Sequence, residues 1–405
     1  MANVVAQLSC VGLALLLSLS KPCHGGQSSS QKKQCQRHCA TTPLFVFGAS
    51  MMDVGENAQA LPLRSRTEFP PYGLDFFSRP SKRYSNGRLI VDFINQGLGN
   101  GLGEDPFLTS VNPNFTCGVN FASSGAKARN ATVSGDGSSS IGLFSFSVQV
   151  DQYRLFKEDI LSRAGADDTT LPSLQDFLDG LYLVEIGHND YTSFVDIYPY
   201  YDIGGNVSST IAAMKTSLKR LHTSGAINII VMNLIPFGCT PIMLGIRNPP
   251  LEEQDDYGCF AAFNDLADFH NELLEDMLQE LNSELPLAKW SLFDVNSIFK
   301  DAIYHPENYG IKYIRRACCG AGGGEYNFNA SILCGNSGYV DGVFTQAWRC
   351  DDPSSYIFWD TMHPVESFAE VVANGFLTGE YVTSFKNSSI LEKSSPVAER
   401  DAFSV

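Results

Sequence analysis

The 405-residue sequence contains no Gly-x-Ser-x-Gly, no His-Glu-x-x-His and no Gly-x-x-x-x-Gly-Lys-Ser/Thr. These absences argue against the nucleophile elbow of an α/β-hydrolase, the zinc helix of a metalloprotease and the phosphate loop of a nucleotide hydrolase. The glycine-rich runs Gly97–Gly103 and Gly320–Gly324 lack the Gly-x-Gly-x-x-Gly spacing of a dinucleotide site and read as loops. Basic charge is scarce: 28 Lys+Arg face 44 Asp+Glu, a formal net charge of −16. Such a field repels phosphate backbones, so nucleic acid is not an expected partner. Paired Cys-x-x-Cys is missing as well, so the cysteines read as disulfide formers rather than zinc ligands. No apolar run is long enough to span a bilayer, and stable membrane insertion is not expected.

What is present is ordinary globular material, 44% hydrophobic and 18% charged, enough for one large domain with a sizeable core. The N-terminus carries a short apolar run, Val11–Leu19, followed by small and polar residues. That is the outline of a signal peptide over residues 1–26, cleaved between Cys23 and Ser28, although its first residues lack the usual Lys or Arg. The alternative, a membrane anchor, is disfavoured by the length of the run. Eleven cysteines agree with a secretory route, as do five Asn-x-Ser/Thr sequons at Asn114, Asn130, Asn206, Asn329 and Asn387. Without Cys10 and Cys23, nine cysteines remain. An odd number leaves one free or paired between chains, and the connectivity does not follow from spacing.

Leu44–Phe47 is a fully apolar run that stops at Gly48, as a buried parallel strand does before a tight turn. Leu181–Ile186, Ile227–Met232 and Trp290–Phe293 repeat the pattern, and helical periodicity occupies Arg88–Leu98, Val207–Thr223, Asp255–Asn282 and Val365–Leu377. Strands alternating with helices predict an α/β fold, three α/β/α layers around a central parallel sheet. Ligands of such sheets lie beyond the carboxyl ends of the strands, which places Ser50 and Asn189 along one edge. The organisation expected is a signal peptide (1–26), an N-terminal extension (27–42), one large α/β domain (43–385) and a loosely ordered tail (386–405). Ser134–Ser140 reads as a surface loop.

Four short blocks hold the residues fit for chemistry: Phe45–Gly55 around Gly48-Ala-Ser50-Met, Tyr84-Ser-Asn-Gly-Arg-Leu89, Glu185-Ile-Gly-His-Asn-Asp-Tyr191 and Phe358-Trp-Asp-Thr-Met-His-Pro364. A serine hydroxyl becomes a nucleophile when an imidazole takes its proton, and a carboxylate fixes that imidazole's tautomer. Asp360 and His363, three residues apart, can share one face of a turn or helix start and supply both helpers.

The order and coverage of these blocks, from about Leu44 to about Phe376, resemble the plant GDSL-type (SGNH) esterase/lipase family. Pro70–Gly73, Gly118–Ala122 and Ala317–Gly322 strengthen the likeness. The resemblance implies a flavodoxin-like hydrolase fold and a catalytic set of Ser50, Asp360 and His363. It also implies an oxyanion hole of the Ser50 and Gly87 N–H groups and the Asn189 amide. No metal or organic cofactor is implied. The substrate is then an ester of a small molecule, glycoside or polysaccharide with an acetyl, other short or aromatic acyl group, hydrolysed outside the cell in the apoplast or cell wall. An acyltransferase with the same triad, or a non-catalytic glycoprotein of the same fold, is the alternative.

One position departs from the family's Gly-Asp-Ser-Leu: Ala49 stands where an aspartate would accept a backbone N–H and hold the turn. A looser turn is therefore expected. Gly87 and Asn189 also have plainer readings, a turn glycine and a helix cap. His188 reads either as pocket lining or as an exposed histidine without a role.

Overall fold

The computed structural model describes residues 39–60, 64–103, 105–108, 112–130, 144–163, 170–192, 203–340 and 342–385. The proposed signal peptide, most of the N-terminal extension, the Ser134–Ser140 loop, Asn387 and the C-terminal tail lie outside these residues. Ten strands occur among them: β1 (Leu44–Gly48), β2 (Gly118–Asn120), β3 (Leu181–Glu185), β4 (Asn228–Met232), β5 (Lys289–Phe293), β6 (Tyr313–Ala317), β7 (Ser337–Val340), β8 (Val343–Gln346), β9 (Tyr356–Phe358) and β10 (Val382–Ser384).

Six of them form the main sheet in the order β10-β5-β4-β3-β1-β2. Strands β1 to β5 are parallel, and every residue of β1, β3 and β4 is buried, as their mainly apolar sequences require when both faces are covered; the polar exceptions are Asn228 at the start of β4 and Glu185 at the end of β3. The order 2-1-3-4-5 is that of a flavodoxin-like sheet, with its switch point between β1 and β3. The sheet is not purely parallel, because β10 joins the outer edge of β5 antiparallel. Helices Phe146–Ser162, Ile203–Thr223 and Ala261–Glu284 pack in succession, and Ile90–Gly97 and Val295–Tyr304 both pack on Glu366–Leu377. These are the two outer layers of the expected α/β/α fold.

The periodic segments form helices close to where they were read, with one informative shift. The helix expected from Asp255 begins at Ala261. The Asp255 carboxylate accepts the Tyr257 and Cys259 N–H groups, and Cys259 is bonded to Cys239, so residues 255–260 are held as a turn. The other disulfides are Cys39–Cys117, Cys318–Cys350 and Cys319–Cys334. Cys35, the remaining cysteine of the nine, lies outside the described residues.

Candidate active site

β1 ends on Gly48, in register with Glu185 at the end of β3. A Cβ at Gly48 would lie 2.3 Å from the Glu185 carbonyl oxygen, and φ there is +151°, so the strands meet and the chain turns only with glycine. The turn that follows is tied from two sides. Gln149, on helix Phe146–Ser162, accepts the Gly48 N–H and donates to the Gly48 carbonyl, both at 2.8 Å. Glu185 Oε2 accepts the Ala49 N–H at 3.0 Å. Ala49 has no side-chain acceptor to give this turn, and the carboxylate that meets the turn comes from the neighbouring strand, on the Ala49 N–H.

This turn presents Ser50, whose Oγ lies 2.7 Å from His363 Nε2. His363 Nδ1 lies 2.7 Å from Asp360 Oδ1. The helpers meet because the chain leaving β9 folds back on itself: the Trp359 N–H donates to the His363 carbonyl at 2.7 Å. Within that turn, Asp360 Oδ1 also accepts the Met362 and His363 N–H groups at 3.2 Å, and Oδ2 accepts the Tyr72 hydroxyl at 2.9 Å. Burial alone would raise the Asp360 carboxyl, but the adjoining His363 ring and the Arg66 guanidinium outweigh it and bring it to about 2. Asp360 is thus an ionised acceptor at neutral pH. Burial, and then the Asp360 charge, push Tyr72 well above the ordinary phenol range, which keeps its hydroxyl a donor.

The remaining sequence-read residues are placed as follows. Gly87 packs against the helix Glu366–Leu377, where a Cβ would come within 2.4 Å of Glu366 Oε2. Its N–H donates to Ser85 Oγ at 3.0 Å. Asn189, partly buried just past β3, donates one amide proton to the Ala126 carbonyl at 3.0 Å, which leaves the second for another acceptor. The Ser50 N–H has no acceptor among the described residues. His188 is buried, not exposed, and bonds to Glu185 and Ile235. Of the sequons, Asn114 and Asn130 are exposed and Asn206 and Asn329 partly so.

A serine, an imidazole and an ionised carboxylate joined by hydrogen bonds at a sheet's switch point are the parts of an acyl-transfer site. Residues 44–376 match the GDSL-like Lipase/Acylhydrolase family. The chain belongs to this family. It is 32% identical to a GDSL esterase/lipase of Arabidopsis thaliana over 84% of this chain and 88% of that relative. It is also 32% identical to the GDSL esterase/lipase ENOD8 of Medicago truncatula, over 85% and 88% respectively. An esterase of Hevea brasiliensis is 31% identical over 85% of this chain and 87% of its own. As a member of the family, the protein is a carboxylic ester hydrolase.

Around the site of this GDSL hydrolase, the supporting contacts of several residues were not legible in the sequence. Tyr72 lies in the family-like stretch Pro70–Gly73, but nothing there points to Asp360, and Arg66 carried no signal beyond its residue type. Tyr84 lies 4.7 Å from the His363 ring, centroid to centroid, and braces it. Glu185 did carry a signal, a lone carboxylate at the end of an apolar strand, which must find partners when buried. Asp53 gathers the Gly55, Glu56, Asn57 and Ser124 N–H groups. It joins the chain after Ser50 to the loop whose Ala126 carbonyl receives Asn189.

Glu56, fully buried beside Asp53, has weaker support: the Leu108 N–H at 2.7 Å and Gln152 Nε2 at 3.5 Å. Burial, with a further push from Asp53, raises its carboxyl from 4.5 to about 8. The unfolded chain loses this proton above about pH 4.5 while the folded chain keeps it to about pH 8, so stability falls as pH rises through that window. From about pH 6.5 to about pH 8 the loss is about 2 kcal/mol. Glu56→Gln, whose amide oxygen still accepts the Leu108 N–H, is expected to flatten the decline in Tm over that range. An unchanged decline would assign it to another group.

Proposed function

We propose that the protein is a secreted serine esterase that hydrolyses acetyl, other short or aromatic acyl esters through an acyl-enzyme on Ser50. The unbroken hydrogen-bonded chain from Ser50 through His363 to Asp360 carries this reading. His363 Nδ1, facing an ionised carboxylate, holds its proton there and leaves Nε2 free to take the Ser50 proton. As that proton leaves, Ser50 Oγ attacks the ester carbonyl carbon. Collapse of the tetrahedral intermediate breaks the bond to the alcohol oxygen, which receives the proton back from His363. Water, deprotonated by His363 in turn, then attacks the acyl carbonyl, releases the acid and restores Ser50.

Asp360 compensates the imidazolium in both steps without taking a proton. The oxyanion would be met by the Ser50 N–H and the second amide proton of Asn189, with Gly87 joining them as Ser85 Oγ yields its N–H. The substrate would be a small-molecule, glycoside or polysaccharide ester in the apoplast or cell wall. Four disulfides support an oxidising compartment, and no helix among the described residues is long and apolar enough to cross a membrane. Cleavage of residues 1–26, a hydrolase domain over 43–385 and glycans at exposed sequons complete the reading. Purified protein should release p-nitrophenol from p-nitrophenyl acetate, and a serine-reactive organophosphate should stop it. No release from folded protein would contradict the proposal.

A further inference from the structure

One carboxylate reaches both halves of the site. Glu185, 1% exposed, is the last residue of β3, and its two oxygens serve different loops. Oε2 accepts the N–H of Ala49, the residue immediately before Ser50, at 3.0 Å. Oε1 faces His188 Nδ1, in the residue immediately before Asn189, at 3.1 Å. The far side of the His188 ring is anchored in turn, because the Ile235 N–H, just beyond β4, donates to Nε2 at 3.1 Å. A nitrogen that accepts from a backbone N–H carries no proton, so the ring's proton sits on Nδ1 and points at Glu185. Both Glu185 oxygens are therefore acceptors, and the chain Ala49, Glu185, His188, Ile235 ties together the loops that follow β1, β3 and β4.

We propose that Glu185 is a positioning residue, locked by His188, that fixes the turn presenting Ser50 relative to the turn presenting Asn189. The proposal rests on the esterase reading above. Its consequence is specific: the Ser50 N–H and the Asn189 amide must converge on one oxyanion, and an error of about 1 Å in such an arrangement costs on the order of 10²-fold in rate. Neither Glu185 nor His188 needs to touch the substrate.

Glu185→Gln keeps the size of the side chain but replaces one acceptor with an NH₂ group. Either Ala49 or His188 then meets a donor where it needs an acceptor. With p-nitrophenyl acetate as substrate, folded Glu185→Gln should lose roughly 10- to 100-fold in kcat, with KM within about twofold of wild type. His188→Leu, which leaves Glu185 and Ala49 untouched but removes the lock, should lose about 3- to 10-fold in kcat, again with little change in KM. Near-UV circular dichroism establishes that each variant keeps its packing. If Glu185→Gln fails to fold, His188→Leu decides alone. Wild-type kcat, or a rise in KM only, in the deciding variant would overturn the positioning role while leaving the esterase reading intact. Absence of hydrolysis by the wild type would overturn both.

Discussion

Ser50→Ala and His363→Ala should each reduce kcat on p-nitrophenyl acetate on the order of 10⁴-fold or more, and the double variant should be scarcely worse than either. The non-additivity follows from the geometry. Ser50 Oγ gains nucleophilicity only by losing its proton to His363 Nε2, 2.7 Å away, so removal of either partner abolishes the same step. What survives is the contribution of binding and of the oxyanion donors, which neither substitution removes. Ser50→Ala should also keep the fold, since the turn is held by backbone contacts to Glu185 and Gln149 and not by the serine side chain. Steady-state kinetics on the three variants test this. Substantial turnover in Ser50→Ala would dismiss the acyl-enzyme.

Asp360→Ala should cost on the order of 10⁴-fold in kcat, and Asp360→Asn should cost at least about tenfold less than Asp360→Ala. In a simple triad an amide can turn its NH₂ group toward the histidine and force the wrong tautomer. Here the turn opposes that orientation. Oδ1 accepts the Met362 and His363 backbone N–H groups as well as the His363 ring, whereas among the described residues Oδ2 accepts a hydrogen bond only from the Tyr72 hydroxyl. An asparagine satisfies every partner by placing its oxygen at Oδ1 and its NH₂ toward Tyr72, which can reverse and accept. The tautomer is then kept, and only the charge that compensates the imidazolium is lost. Comparison of kcat for the two folded variants checks the argument. Equal losses would mean that the turn does not orient the amide.

The sheet was legible where sequence and burial agree. β1, β3, β4 and β5 are short apolar runs covered on both sides, and their spacing leaves room only for helical crossovers. β2 was not legible, because three residues, Gly118–Asn120, give no pattern. Neither was β10, an edge strand whose pairing to β5 depends on the whole preceding chain. The helix Phe146–Ser162 escaped for a functional reason. Its buried face runs Phe146, Gln149, Val150, Tyr153, Phe156, and Gln149 breaks the apolar stripe because its amide is needed at Gly48.

The site divides along the same line. Ser50, Asp360 and His363 could be named from the sequence because the order of the four blocks resembles the family's, and the fold brings the three side chains within hydrogen-bond distance of one another. The support beneath them could not, since Tyr72 reaches Asp360 across 288 residues and Glu185 reaches Ala49 across 136. Such contacts arise from strand register and turn geometry, which block spacing does not encode. Ala49 illustrates the difference: read locally it predicts a looser turn, whereas the Glu185 carboxylate that the fold brings to the Ala49 N–H comes from the neighbouring strand and has no local trace.

The most direct test of the central claim is the site of covalent modification. Native protein treated with a fluorophosphonate and digested should carry one adduct per chain, on the peptide containing Ser50, with esterase activity lost in proportion to its formation. Full activity with Ser50 completely modified, or an adduct confined to another residue while activity disappears, would contradict it.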